Sequence, residues 1–416
     1  MRAVSLFSGC GGMDFGVIAA GFDVGYCNDF DRHSCQTLRD NHAGVVSHAP
    51  ISEVSTSEIR RAIGARVGQV DLVFGGPPCQ PFSKSGYWRR GDTRRLDDPR
   101  ADTLGQFFRV VEDLRPKAFL LENVHGINYS GKEEGFRFIL DRIDDINRKN
   151  GTSYTASWRV INTAEYGVPQ ARVRFFLVGL RKGKTFEFPA PTHSLLESPQ
   201  ASLFDVGLPR ATTAWEAIGH LTPDPGESLA VGGQWADLLP SIPEGENYLW
   251  HTDRKGGLPL FGWRTRYWCF LLKLAKNRPS WTLQAQPGSA IGPFHWSNRK
   301  LSWRELAAIQ TFPAAFKIGA PRVEIQRQIG NAVPSLMAGI IAAAIARQLG
   351  NRSENAVEEL AVKQVASIPS PALTTPVPKR YRSLVGVHKA HPGTGKGRSY
   401  ERIVEPSDDG RLAFRG

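Results

Sequence analysis

The sequence predicts an α/β protein: a doubly wound parallel sheet carrying a second, smaller domain. Two observations predict it. Short apolar runs alternate with amphipathic stretches through the first half, as when parallel strands are covered by helices on both faces. Directly after the first run comes the glycine-rich turn Phe7-Ser8-Gly9-Cys10-Gly11-Gly12, where sheets of this kind receive ligands, at the carboxyl ends of their strands.

The strands are expected at Ala3–Phe7, Phe22–Cys27, Val70–Phe74, Ala118–Leu121 and Val173–Leu180, each a short apolar run. Helical spacing of apolar residues predicts Asp31–Asp40, Thr103–Leu114 and Phe136–Arg148. After Pro191-Thr192-His193 this rhythm gives way to sequence rich in proline, glycine and tryptophan, including Trp215, Trp235, Trp250, Trp263, Trp268, Trp281 and Trp296. We therefore divide the chain into a ligand-binding and catalytic domain at 1–192, a second domain at 193–297, and a return to the first at 298–350. Helices are expected there at Ser302–Gln310 and Pro334–Leu349, with Pro334 suited to a first turn. Residues 351–416 lose periodicity and gain Pro, Ser, Thr and basic residues, and are expected to be a disordered basic tail.

At 416 residues the chain can bury a large core. Its formal charge of +12 favours a polyanionic partner, nucleic acid first, because phosphates neutralised by Lys or Arg release counterions. The five cysteines, Cys10, Cys27, Cys35, Cys79 and Cys269, form no CxxC pair or repeated spacing, which argues against a disulfide framework or a metal cluster and fits a reducing cytoplasm. No metal site is expected at the histidines, including His33, His125 and His295. The start of the chain lacks a signal-peptide core, and the most apolar stretch, Ser335–Leu349, is short for a bilayer and contains Arg347. It reads as a buried helix.

The chemistry concentrates at strand exits. The glycine loop is neither a P-loop nor a GxGxxG turn, since no Lys-Ser/Thr pair follows and Asp14 stands where a third glycine would be. At the end of the second strand, Asp29 could accept from both hydroxyls of a ribose and Phe30 could pack on adenine, which suits a nucleoside cofactor without a diphosphate. Structural roles in a helix start and the core compete for each residue singly. Gly75-Gly76-Pro77-Pro78-Cys79-Gln80-Pro81-Phe82 sets a thiol on a proline-stiffened loop, and Glu122-Asn123-Val124 brings a carboxyl to the same edge. In Gln170-Ala171-Arg172-Val173-Arg174, strand alternation puts both arginines on one side. Gln328-Ile329-Gly330-Asn331-Ala332-Val333-Pro334 reads as a turn entering a helix. Together a thiolate, a protonated carboxyl and an arginine suit covalent activation of a pyrimidine: the sulfur adds to carbon 6, the acid offsets charge at ring nitrogen 3, and the arginine holds the ring carbonyl.

These blocks resemble the bacterial DNA (cytosine-5) methyltransferase family. FSGCGG, GGPPCQPFSKSG, ENV, QARVR, RPSWTLQAQPG and QIGNAVP occur in the family's order between Val4 and about Leu349. The resemblance implies the Rossmann-like sheet of S-adenosylmethionine-dependent methyltransferases, and transfer of a methyl group to carbon 5 of a flipped cytosine through a Cys79 adduct. It implies S-adenosylmethionine as cofactor, held by Phe7, Ser8, Gly9, Gly11, Gly12, Asp29, Phe30, Ile51, Pro78, Leu104 and Asn331. Cys79, Glu122 and Arg174 would be catalytic, with Arg172 in support; Pro78, Gln80, Ser83, Ser85 and Asn123 would meet the base or DNA. The Lys84–Arg95 stretch, with Tyr87 and Trp88, is suited to closing on phosphates and bases. The second domain would read the target sequence, with Arg254, Lys255, Arg264, Arg266 and Lys273 as candidate contacts.

Double-stranded DNA is the expected partner of a monomeric, cytoplasmic, nucleoid-associated enzyme without a membrane, alongside a separately acting restriction endonuclease. One position departs from the pattern: Pro50 stands where an acid often contacts the adenine amine. Two other functions compete, a transfer RNA cytosine-5 methyltransferase and an inactive, sequence-specific DNA-binding protein.

Overall fold

The computed structural model describes residues 1–78, 102–124, 134–195, 207–262, 268–351 and 356–386. In chain order its main elements are β1 (Arg2–Leu6), α1 (Gly12–Ala19), β2 (Asp23–Asp29), α2 (Arg32–Asn41), β3 (Val45–His48), α3 (Thr56–Ala62), β4 (Leu72–Gly75), α4 (Asp102–Leu114), β5 (Ala118–Val124), α5 (Glu134–Asn150), β6 (Thr155–Asn162), β7 (Gln170–Ala171) and β8 (Val173–Leu180). Then follow α6 (Ala214–Ile218), β9 (Ser280–Trp281), α7 (Trp303–Ile309), α8 (Arg322–Asn331) and α9 (Ser335–Gln348).

The seven-stranded sheet runs β3-β2-β1-β4-β5-β8-β6. Pairing is parallel from β3 through β5, whereas β8 is antiparallel to both β5 and β6. The expected parallel sheet is therefore mixed. Alternation sends Ala3, Leu72, Phe74, Ala118 and Leu120 to one face, against Met13 and Val17 of α1 and Leu336, Ile341 and Ile345 of α9. Val4, Leu6, Val73, Phe119 and Leu121 face the other way, against Ile59 of α3, Phe107 and Phe108 of α4 and Ile139 of α5.

Strand order reverses between β1 and β4, which neighbour each other while β2 and β5 flank them. That reversal opens a crevice at the strand ends, because the following segments leave toward opposite faces. α1 closes on α9 backbone to backbone: a Cβ on Gly16 would lie 2.2 Å from the Ser335 carbonyl oxygen. Ser335–Gln348 is buried along nearly its whole length, as its composition predicts.

Two expectations need correction. Gln328–Asn331 is the last turn of α8 and not a turn entering a helix; the link to α9 is Ala332–Pro334. The tail is not wholly disordered, since Val377 and Tyr381 are buried.

The chain forms two compact units, and the boundary at His193 shifts accordingly. Of the described residues, the first comprises those within 1–227, 277–286 and 302–368; the second comprises those within 228–276, 287–301 and 369–386. The core of the second unit contains Leu238, Leu239, Ile242, Tyr248, Leu271, Phe294, Val377 and Tyr381. Tyr381 stacks on Trp235 at 5.4 Å and 18°, and the Ala372 backbone N–H donates to Glu244. Val377 and Tyr381 supply apolar surface that the loop-rich unit otherwise lacks, which is why a stretch without periodicity folds here. Lys273, expected as a phosphate or base contact, is 3% exposed and donates from Nζ to the Ile242 carbonyl; burial pushes its ammonium pKa down to about 8.

Candidate active site

An open cleft of about 680 Å³ lies in the first unit at the strand ends. Its walls come from the β1–α1 loop, the end of β2, Gly75–Pro78 after β4, Glu122–Val124 of β5, Arg172 and Arg174, the segment Thr282–Gln286, and the end of α8 with its link to α9. Distant sequence blocks thus meet in one space.

The glycine loop is held from below. Ser8 donates its N–H to the Asn28 carbonyl (3.0 Å), and Gly9 donates its N–H to Oδ2 of Asp29 (2.8 Å). Oδ1 of Asp29 accepts the Asp31 N–H (2.9 Å), so each carboxylate oxygen has one backbone donor and keeps further acceptor capacity. Burial pushes the Asp29 carboxyl pKa up. The helix-start role belongs instead to Asp31, which accepts from the Ser34 N–H (2.8 Å) and pairs with Arg327 (2.6 Å). Phe30 lies on the cleft wall with 67% of its surface exposed, which leaves its ring open to a planar ligand.

Across the cleft, β5 runs on through Val124, and its pairing with β8 sets Glu122 opposite Phe176 and Val124 opposite Arg174. Arg174 Nε lies 3.1 Å from Glu122 Oε1, with the two side chains 15% and 12% exposed. Burial raises the Glu122 carboxyl pKa and lowers that of Arg174, more than their mutual attraction restores. Arg172 is 1% exposed; its one guanidinium bond runs from NH2 to the Asn331 carbonyl (3.3 Å), while Nε and NH1 have no partner among the described residues. A carboxyl that readily keeps its proton, set beside guanidinium groups, can donate a proton to a ring nitrogen while a carbonyl is held nearby.

Asn123 donates to the Pro77 carbonyl (3.3 Å) and Thr103 to that of Pro78 (3.2 Å), tying this loop to β5 and α4. Asn123 thus braces the loop. Cys79, Gln80, Ser83, Ser85, Lys84–Arg95, His125, Arg264 and Arg266 lie outside the described residues.

Of the expected cofactor residues, Phe7, Ser8, Gly9, Gly12, Asp29, Phe30, Pro78 and Asn331 line the cleft. Gly11, Ile51 and Leu104 are not among its lining residues; Ile51 and Leu104 pack in the apolar layer with Phe107 and Phe108. At the departure noted above, Pro50 precedes a helical turn whose Ile51 carbonyl accepts from Arg109 (2.8 Å). Cys10 also lines the cleft, its thiol pushed up to about 12 by burial, which makes it a packing residue and no nucleophile. The sequence did not single out Thr282–Gln286, Arg327 or Gln328 as wall residues. Thr282–Gln286 lies within the RPSWTLQAQPG block and Gln328 opens QIGNAVP, so of these only Arg327 falls outside every block that carried the resemblance.

Residues 1–347 match the family of C-5 cytosine-specific DNA methylases. The chain belongs to that family. It is 40% identical over 374 residues to the type II methyltransferase M.SacI of Streptomyces achromogenes, covering 84% of this chain and 94% of that one. It is 31% identical over 340 residues to the type II methyltransferase M.NgoFVII of Neisseria gonorrhoeae, covering 80% and 83%. Among solved structures, the methyltransferase EhMeth of Entamoeba histolytica superposes with a TM-score of 0.55 at 16% identity, covering 84% of this chain and 98% of that one. The Dnmt2 methyltransferase of S. pombe gives 0.51 at 16% identity, covering 84% and 99%. The last two likenesses establish the fold. This enzyme is accordingly a DNA (cytosine-5) methyltransferase, of a family that depends on S-adenosylmethionine.

Proposed function

We propose that the enzyme methylates carbon 5 of a cytosine swung out of duplex DNA, by transient bonding of the Cys79 sulfur to carbon 6. The observation that carries this reading is the Glu122–Arg174 pair, 3.1 Å apart on the wall of a cleft shared with the glycine loop and with Pro78, one residue before Cys79 in the chain.

Extrusion is required because carbon 6 is shielded by stacked neighbours within a duplex. The Cys79 thiolate adds to carbon 6, and the electron pair of the 5,6 double bond moves through the ring as Glu122 gives its proton to nitrogen 3. Arg174 holds the carboxyl and is suited to the ring carbonyl at carbon 2. Carbon 5, now enamine-like, would be the nucleophile toward the methyl of a sulfonium donor, whose carbon–sulfur bond breaks. Loss of the carbon 5 proton to a base with expulsion of the thiolate then restores the 5,6 double bond, and the nitrogen 3 proton returns to Glu122.

S-adenosylmethionine supplies an electrophilic methyl on a positively charged sulfur. The residues present fit it: an exposed aromatic face at Phe30 for adenine, a carboxylate with spare lone pairs at Asp29 for ribose hydroxyls, and a loop open at Gly9, where no atom lies within 4 Å of an added Cβ. We assign target reading to the second unit, with Arg254 and Lys255 as candidate contacts, and a restriction-modification role to a monomeric, cytoplasmic enzyme. Likeness to type II methyltransferases supports that role.

A duplex carrying 5-fluorocytosine at the target tests the chemistry, because fluorine cannot leave as a proton and the adduct should survive denaturing electrophoresis. Cys79→Ala should abolish both the adduct and methyl transfer. Transfer by that variant, or labelling of transfer RNA with none on DNA, would overturn the proposal.

A further inference from the structure

Behind the arginine wall sit two glutamines with no surface exposed, Gln170 on β7 and Gln310 at the end of α7. Gln170 Nε2 donates to Gln310 Oε1 at 3.0 Å. Gln170 Oε1 accepts the Leu283 backbone N–H at 3.1 Å, and Gln310 Nε2 donates to the carbonyls of Ile329 (2.6 Å) and Ala332 (3.1 Å). These bonds leave one consistent orientation for each amide. A flip of Gln310 would point its oxygen at two carbonyls, and a flip of Gln170 would face a donor with a donor.

Each arm of the network ends on a different part of the cleft wall. Gln170 is two residues before Arg172; Leu283 belongs to the Thr282–Gln286 segment; Ile329 and Ala332 bracket Asn331, whose carbonyl accepts from Arg172. The walls approach closely here, since a Cβ on Gly330 would lie 2.6 Å from the Ala285 Cα. Thr282 Oγ1 adds a bond to the Ala171 carbonyl (2.9 Å).

We propose that Gln170 and Gln310 act as a single positioning device that sets the spacing of three wall segments, and through it the placement of Arg172 and Arg174 against Glu122. Neither glutamine is among the lining residues, so both act through others. The inference rests on the assignment of that cluster to the base, and its consequence is kinetic: misplacement of reacting groups by about 1 Å can cost about 100-fold in rate.

The test uses the full-length enzyme and a target duplex. Gln170→Met and Gln310→Met should each lower kcat at least about 10-fold with KM for DNA changed less than about 3-fold. The double variant should lose little more than either single one, as expected for residues acting as a unit. Gln170→Glu supplies a readout that loss of packing would not move. A protonated carboxyl can donate to Gln310 and accept from Leu283 as the amide does, whereas a carboxylate cannot donate. The ratio of its kcat to that of the parent enzyme should approach one near pH 6 and fall about 10-fold as the buried carboxyl ionises, which for such groups extends to about pH 8–9.

Parent-like kcat in Gln170→Met with only a lowered melting temperature would overturn the inference, as would a pH-independent ratio for Gln170→Glu. Unchanged activity in a Glu122→Gln control would instead sink the assignment of the cleft itself.

Discussion

Replacing Glu122 by Gln removes one proton and leaves the shape of the side chain intact. At 3.1 Å from Arg174, the gross attraction between the two charges is about 5 kcal/mol at an effective dielectric of about 20. Desolvation opposes it strongly enough to raise the carboxyl pKa, so the ionised pair contributes much less than that figure to folding. An amide oxygen can still accept from Arg174. We therefore expect Glu122→Gln to unfold within about 1–2 kcal/mol of the parent, a shift of a few degrees in Tm. Catalysis should suffer far more, because loss of a general acid costs about 100- to 10,000-fold, or about 3–5 kcal/mol on the barrier.

The pH dependence has a definite sign. Folding raises this carboxyl above its ordinary 4.5, so its contribution to stability is complete below 4.5 and is lost as pH rises through the raised value. The stability difference between variant and parent should drift in the variant's favour across that interval. Tritiated methyl transfer to a target duplex under single-turnover conditions, paired with thermal unfolding at several pH values, measures both. A variant retaining more than about a third of the parent rate would refute proton donation by Glu122.

Two further outcomes follow from packing. In Gly12→Ala the new methyl would lie 2.5 Å from the Val333 carbonyl oxygen and 2.9 Å from the Ala332 Cβ, pushing α1 away from the α8–α9 link; calorimetry should find S-adenosylmethionine bound at least about 10-fold more weakly, and unchanged affinity would contradict this cofactor placement. Tyr381→Ala removes a buried ring stacked on Trp235 and should cost about 3–5 kcal/mol, exposing residues 228–276 to faster hydrogen exchange while the central sheet stays protected; uniform protection in both would show that the tail is dispensable.

The candidate site of this enzyme was legible in the sequence because the proposed reactive residues cluster in short blocks at strand exits. Val173–Leu180 was found without error, since from Phe175 onward it is buried at every position and carries no polar side chain. Thr155–Asn162 went unseen: it forms the sheet's edge, leaving Trp158 and Val160 about two-fifths exposed, so its apolar residues resemble surface. Val45–His48 also went unseen, since half of its four residues are polar and none is fully buried.

Composition and local spacing, then, predicted the fold class and favoured a polyanionic partner, and they nominated the candidate reactive groups, because each depends on residues near one another in the chain. Only the tertiary structure decided that Glu122 pairs with Arg174, that Thr282–Gln286 returns to the cleft wall, that Gln170 meets Gln310, and that the tail completes the second core. Those partners are chosen by strand order and register, and by apolar surface left uncovered elsewhere. Such quantities have no period and no local signature.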